Sequence, residues 1–281
     1  MAKQKKLEYG FANKAWQVVT GCDNTISCWR ACWAKRTVAR LAGSPNAKTA
    51  EAHAGLVKIA GPAEILAWTG TVRINEAHLN DPLRWRKPAI IATGFHGDWG
   101  LLSKHDKGRM FSVIRAAEIH SFFPLSKHNL PGIVEFLAWF GGPLPNVNIG
   151  VSVMTQADAT AALPHIRAIA EMGWKTHCWH EPAIGPIDWR GWEFLTWLVV
   201  GGQSAGPDEF NTDWAYDAIR WGRASRVPVK IKQLGSRPIS WENCPIDCQC
   251  GFHRGFKDRR GADPEEWPAG LRVSEMPEAH Q

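Results

Sequence analysis

The apolar positions of this chain switch period repeatedly, between the alternation of a strand and the three-to-four-residue spacing of a helix. Short apolar runs predict strands at Trp16–Thr20, Thr71–Asn75, Ala89–Thr93, Ser121–Leu125, Val147–Val153, Thr176–Trp179, Trp197–Val200 and Val227–Ile231. Amphipathic stretches predict helices at Trp29–Leu41, ended by Gly43-Ser-Pro45, and near Arg109–His120, Pro131–Phe140, Asp158–Met172 and Asp213–Ala224. Strands that alternate with helices of this length predict an α/β protein with a parallel sheet. Cys22, Asn75, His96, Lys127, Ser152, Glu181, Gln203 and Gln233 stand at or just past the strands' C-terminal ends. That is where a (β/α) barrel gathers its reactive groups. The expected architecture is therefore a full or partial (β/α) TIM-like barrel over residues 1–235. A C-terminal extension over residues 236–281, rich in Pro, Gly and charge and carrying cysteines, packs on it. Gly43–Ala54 reads as a surface connection.

Composition narrows the class. With 281 residues, 44% hydrophobic and 21% charged, the chain can bury a substantial core as one barrel or two smaller domains. No apolar run approaches the roughly 18 residues of a membrane span. The start, Met1-Ala-Lys-Gln-Lys-Lys6, lacks the apolar stretch of a signal peptide, so a cytoplasmic location is expected. A net charge of +6 suits an anionic partner such as nucleic acid. The seven cysteines fall in groups of three, one and three, which argues against a secreted disulfide framework and for metal or redox chemistry.

Cys22, Cys28 and Cys32 lie in Trp16-Gln-Val-Val-Thr-Gly-Cys22-Asp-Asn-Thr-Ile-Ser-Cys28-Trp-Arg-Ala-Cys32-Trp-Ala-Lys-Arg36, where an apolar strand gives way to a basic helix. Structural zinc closes with four protein ligands, and an electron-transfer [4Fe-4S] cluster takes four cysteines. Three thiols with no obvious fourth nearby suggest a cluster with one iron left open. A zinc knuckle completed by a distant His or Cys is the plainer reading of the same residues.

Those phrases, together with Asp81-Pro-Leu-Arg-Trp-Arg-Lys-Pro88, Gly150-Val-Ser-Val153, Glu181-Pro-Ala-Ile-Gly-Pro-Ile-Asp188, Gly201-Gly-Gln-Ser204, Lys230-Ile-Lys-Gln-Leu-Gly235 and Asp263-Pro-Glu-Glu-Trp-Pro268, occur in a fixed order. In this the chain resembles the radical S-adenosylmethionine (SAM) superfamily, in particular its phage-associated branch of largely unknown function. It departs from the superfamily's usual spacing, with five residues in the first cysteine gap and three in the second. It has Ala31 rather than an aromatic before the last cysteine, and Gln203 where the branch often carries Glu. The resemblance implies a [4Fe-4S] cluster on Cys22, Cys28 and Cys32, SAM bound at the open iron, reductive cleavage of SAM and an electron from a reductant protein. If phage-encoded, the location is the host cytoplasm.

The remaining candidates follow from position and from the match. Trp33, Ser152, Gly201, Gly202 and Gln203 are candidates for holding SAM, since glycine-rich strand ends, hydroxyls, carboxamides and aromatic rings suit its charged end, ribose and adenine. Glu181, held before a Pro, is a candidate to orient substrate or move a proton, or to pair with a cation. Lys230 and Lys232 alternate onto one strand face, where an anion such as a phosphate or carboxylate would relieve their burial. Cys244, Cys248, Cys250 and His253 offer a second metal site, followed by the basic run Arg254–Arg260. Of the 16 tryptophans most should fill the core, while Trp33, Trp99 and Trp179 are placed to stack on adenine or on a substrate base. The leading expectation is a radical SAM enzyme acting on a nucleotide or a DNA base. The alternatives are a non-enzymatic, zinc-stabilised nucleic-acid-binding protein and an enzyme acting on a small metabolite or peptide.

Overall fold

The computed structural model describes residues 10–25, 32–240 and 250–277, the side chains of residues 253 and 254 excepted. The chain divides at Ile149–Gly150 into two compact units. In order, the first carries β1 (Lys14–Trp16), β2 (Val19–Gly21), α1 (Trp33–Ala42), α2 (Ala47–His53), β3 (Val57–Ala60), β4 (Ile65–Trp68), β5 (Arg73–Ile74), α3 (Asp81–Arg84), β6 (Ile90–Thr93), β7 (His96–Gly97), α4 (Lys104–Ala116), β8 (Ser121–Phe123), β9 (Leu125–Ser126) and α5 (Leu130–Phe140). β1, β6 and β8 form a parallel sheet in the order β1-β6-β8. β2 pairs antiparallel with β5 and parallel with β7.

The apolar run predicted as one strand at Trp16–Thr20 is thus two. Trp16 aligns with Thr93 of β6 and Thr20 with His96 of β7, so the chain changes sheet at Gln17-Val18. An aromatic core holds the helices. Phe111 of α4 meets Phe136 of α5 edge-on at 5.0 Å, and Trp99, fully buried, lies 5.5 Å from Phe111. Trp99 is therefore core filling rather than a stacking platform. Gly43–Ala54 is not a bare connection either: Asn46 accepts from the Thr49 amide and caps α2. The β3–β4 hairpin lies where no strand was expected.

The second unit carries β10 (Asn148–Val153), α6 (Gln156–Glu171), β11 (Lys175–His180), β12 (Trp197–Gly201), β13 (Phe210–Asn211), α7 (Thr212–Ser225), β14 (Val229–Gln233), β15 (Pro238–Ile239) and α8 (Gly251–Arg254). Its sheet has the order β14-β12-β11-β10, with β11–β12 and β12–β14 parallel. Every residue of β12 is buried, as expected of a central strand with no polar face. Thr155 and Asp158 close a reciprocal capping box that starts α6. Residues 273–275 run along β14: the Ile231 amide donates to Val273 O and the Glu275 amide to Val229 O. That segment covers a strand edge that would otherwise be open. The expected α/β class with parallel strands is present in both units.

Candidate functional site

Cys22 follows β2 directly, and the backbone around it leaves no room for a substitute at Gly21. Gly21 has φ +96°, and a Cβ there would meet Thr71 O at 2.0 Å. Across the β2–β7 pair Gly97 is also too tight for a side chain, its Cβ position 2.6 Å from Gly21 O. Asn24 then pins the loop, its carboxamide giving and taking one hydrogen bond each with the Trp68 backbone at 2.8 and 3.0 Å. Cys22 and Cys32, both half-buried, pack against one apolar cluster of Ala34, Val38, Leu56 and Trp68. Cys28 lies outside the described residues. So do Cys244 and Cys248, while Cys250 is buried at the start of α8.

A second strand end delivers a partner to Cys22. Asp98, nearly buried, accepts from the Gly100 amide at 2.9 Å, the Lys127 amide at 2.8 Å and the Ser126 hydroxyl. This locks the loop after β9, whose His128 is buried and presents Nε2 to Cys22 Sγ at 3.4 Å. On its other side His128 Nδ1 lies 3.1 Å from Asp23 Oδ1, and Thr25 donates to the same carboxylate oxygen at 2.7 Å. Ligand atoms of Cys22, Asp23 and His128 all fall within 4.8 Å of one another. An Asp–His–Cys chain of this kind can hold a thiolate with an imidazolium, or a thiol with a neutral ring. The cysteine pattern revealed Cys22, but not Asp23 or His128. The one available signal for His128 was its place just past a strand end, beside Lys127.

In the second unit the predicted residues bond to one another. Ser152 Oγ donates to Glu181 O at 2.9 Å. Lys232 Nζ donates to Glu181 Oε1 at 2.6 Å and lies 5.0 Å from the Trp179 ring centre. Lys230, which unlike Lys232 is buried, donates to Ser274 Oγ at 2.6 Å. Its pKa is lowered, first by burial and then by the charge of Lys232. The carboxylate sought for the lysine face is thus Glu181 itself. Gln203 Oε1 accepts from the Asp208 amide at 3.2 Å, and Gly202 has no space for a side chain, since a Cβ would lie 2.5 Å from Leu234 O. Gln233 ties this end together through Gly202 O at 2.8 Å and Ser204 Oγ at 2.7 Å. Trp33, by contrast, stands 58% exposed at the start of α1.

Residues 6–262 match a family model described as "Protein of unknown function (DUF5131)". The chain belongs to this family. Among solved structures, "Spore photoproduct lyase complexed with dinucleoside spore photoproduct" is similar to this DUF5131 member at 12% identity and a TM-score of 0.39. The match covers 70% of this chain and 55% of that one, so the chain spans about half the length of that structure. So low a score carries neither fold nor function from one protein to the other. Among the described residues of this DUF5131 chain, no helix is long and apolar enough to cross a membrane.

Proposed function

We propose that this protein is a radical SAM enzyme whose [4Fe-4S] cluster is held by Cys22, Cys28 and Cys32, with a nucleotide or a DNA base as substrate. The observation that carries the reading is the convergence of Cys22 and Cys32 on one apolar cluster at the end of β2. A sulfur donor set in a half-buried, apolar-backed loop fits an iron-sulfur cluster. When bound, a three-thiolate cluster supplies the electron that cleaves SAM reductively.

The chain's own residues have separate tasks. Gly21 and Gly97 let two strand ends approach closely enough to fix the position of Cys22. His128 hydrogen-bonds at Cys22 Sγ and Asp23 holds its ring, so the sulfur's charge is stabilised from one direction. In the second unit, Ser152, Gly201, Gly202 and Gln203 are assigned to SAM, and Trp33 of the first unit to an aromatic ring. Glu181 and Lys232 form a partly buried ion pair that meets polar substrate groups as hydrogen-bond acceptor and donor, with Lys230 beside it. The barrel over residues 1–235, the extension over 236–281 and a second metal on Cys244, Cys248, Cys250 and His253 belong to the same proposal.

One observation favours a second reading. Cys22, Asp23 and His128 together are a mixed S, O and N donor set that also suits zinc, as a zinc-stabilised nucleic-acid-binding protein would need. Anaerobic purification and reconstitution, with iron and sulfide analysis and electron paramagnetic resonance of the reduced protein, separate the two. The enzyme reading expects a cluster signal that changes on adding SAM and is lost in Cys28→Ala. A colourless, zinc-containing protein would overturn it in favour of the binding module.

A further inference from the structure

Among Gln17 at the β1–β2 junction, the segment just after β5, β7 and helices α1 and α2 of the first unit lies a cavity of about 170 Å³. This is the scale of a cavity that takes one flat ring, since about 150 Å³ holds a benzene. Its walls are more apolar than polar, with Leu41, Ala52 and Ala77, and carry no carboxylate; Gln17, Asn75, His53, His78, His96 and Lys48 supply the polar groups. Gln17 Oε1 is buried without a hydrogen-bond partner. Asn75 is 5% exposed, and its side chain makes no hydrogen bond among the described residues. Buried polar groups are ordinarily satisfied, and those that are not call for a ligand or water.

The two imidazoles are close enough to share a proton order. His53 Nδ1 lies 2.8 Å from Thr49 O and must donate to it. When both rings are neutral, its Nε2, 3.4 Å from His96 Nδ1, accepts, which leaves His96 Nε2 as an acceptor. Burial, and secondly the neighbouring His53, hold the pKa of His96 down to about 4, so the ring is neutral at physiological pH. The cavity therefore offers acceptors at Gln17 Oε1 and His96 Nε2, a carboxamide of either sense at Asn75, and the ammonium donor of Lys48 at its exposed edge.

Its surroundings narrow the guest further. Trp33, 58% exposed, meets the His96 ring edge-on at 6.4 Å. Lys48 of α2 lines the cavity and is exposed, and Arg36 and Arg40 are exposed on α1, the helix that Trp33 begins. An exposed indole beside a single-ring cavity, with exposed cations on the same two helices, matches a strand whose neighbouring base stacks on the surface while its phosphates meet positive charge. Carboxamides suit the adjacent donors and acceptors of a base edge.

We propose that this cavity binds a single nucleobase, taken from a free nucleotide or turned out of a nucleic-acid strand, through Gln17, Asn75 and His96, with Trp33 stacking beside it. The enzyme reading above is relied on only for the substrate being nucleic acid, since no residue named here is a cluster ligand.

The test is binding of fluorescein-labelled single-stranded DNA at fixed salt, with free nucleosides and the fully paired duplex as further arms. Wild type is compared with Gln17→Leu, Asn75→Leu and Trp33→Ala, each checked for unchanged melting temperature. Each variant should weaken single-strand binding about ten-fold. Saturable binding of free nucleosides that is lost in Asn75→Leu would identify a free nucleotide as the source, and loss confined to strands an extruded base. Strand binding equal in wild type and all three variants, or binding by none, overturns the assignment. Iron and sulfide are measured on the same preparations. A colourless protein that still loses strand binding with Asn75→Leu would sink the enzyme reading and leave the nucleobase cavity standing.

Discussion

The residues singled out as site candidates are treated differently in the two units, although buried polar atoms without a partner, such as Thr176 Oγ1 and Thr212 Oγ1, occur in the second unit too. In the second unit they answer one another: Lys232 meets Glu181, Lys230 meets Ser274, Ser152 meets the Glu181 backbone and Gln233 meets Gly202 and Ser204. In the first unit the Cys22 loop is just as firmly tied, but a separate cavity, lined by Asn75 among others, keeps a Gln17 oxygen buried without a partner. A group that is satisfied within the fold is explained by the fold. One left wanting in a buried place points to something the fold alone does not supply.

Substitutions can break that contrast. The largest effect should come from Trp197→Ala, which empties a fully buried site in β12 and costs about 3–5 kcal/mol in urea unfolding. Next, Glu181→Leu should cost about 1–3 kcal/mol by leaving Lys232 partly buried without its partner. Adding Lys232→Met should recover much of that loss. A double-mutant cycle with no coupling would show that the pair is not a unit.

In the first unit, His96 should make stability depend on pH. Its folded pKa lies near 4 and its unfolded value near 6.5, so the unfolded chain binds the extra proton between them. The stability contributed is complete above about 6.5 and is lost as pH falls toward about 4. Thermal melts across that range should show a steeper decline for wild type than for His96→Gln. The smallest effect is the most telling: Asn75→Leu breaks no hydrogen bond, so its melting temperature should stay the same or rise. A drop as large as that of Glu181→Leu would mean that Asn75 is satisfied after all and that the contrast between the units fails.

The strands and helices with strong patterns were legible. β12 is buried on both faces and reads as an unbroken apolar run, and α5 and α7 lie within one or two residues of their expected bounds. Helix α2 was hidden because its inward side is Thr49, Ala50, Ala52 and His53, too weak an apolar stripe to separate from a loop. The break at Gln17-Val18 was hidden because a change of sheet leaves no mark on apolar spacing. At the site, Cys22 and Cys32 were legible from their clustering, whereas His128 stands 106 residues from Cys22 and is brought there only by strand pairing and the Asp98 carboxylate. The tie between Glu181 and Lys232 spans 51 residues and was equally out of reach.

Asp98 has a consequence for motion. A single carboxylate gathers donors from two segments almost thirty residues apart in sequence, at Gly100 and at Ser126-Lys127. Neither can swing out without stripping a buried charge of its donors, so local opening there is suppressed. The amides of Gly100 and Lys127 should then exchange with deuterium only as slowly as the unit unfolds, and His128 is carried on a bracket that does not breathe.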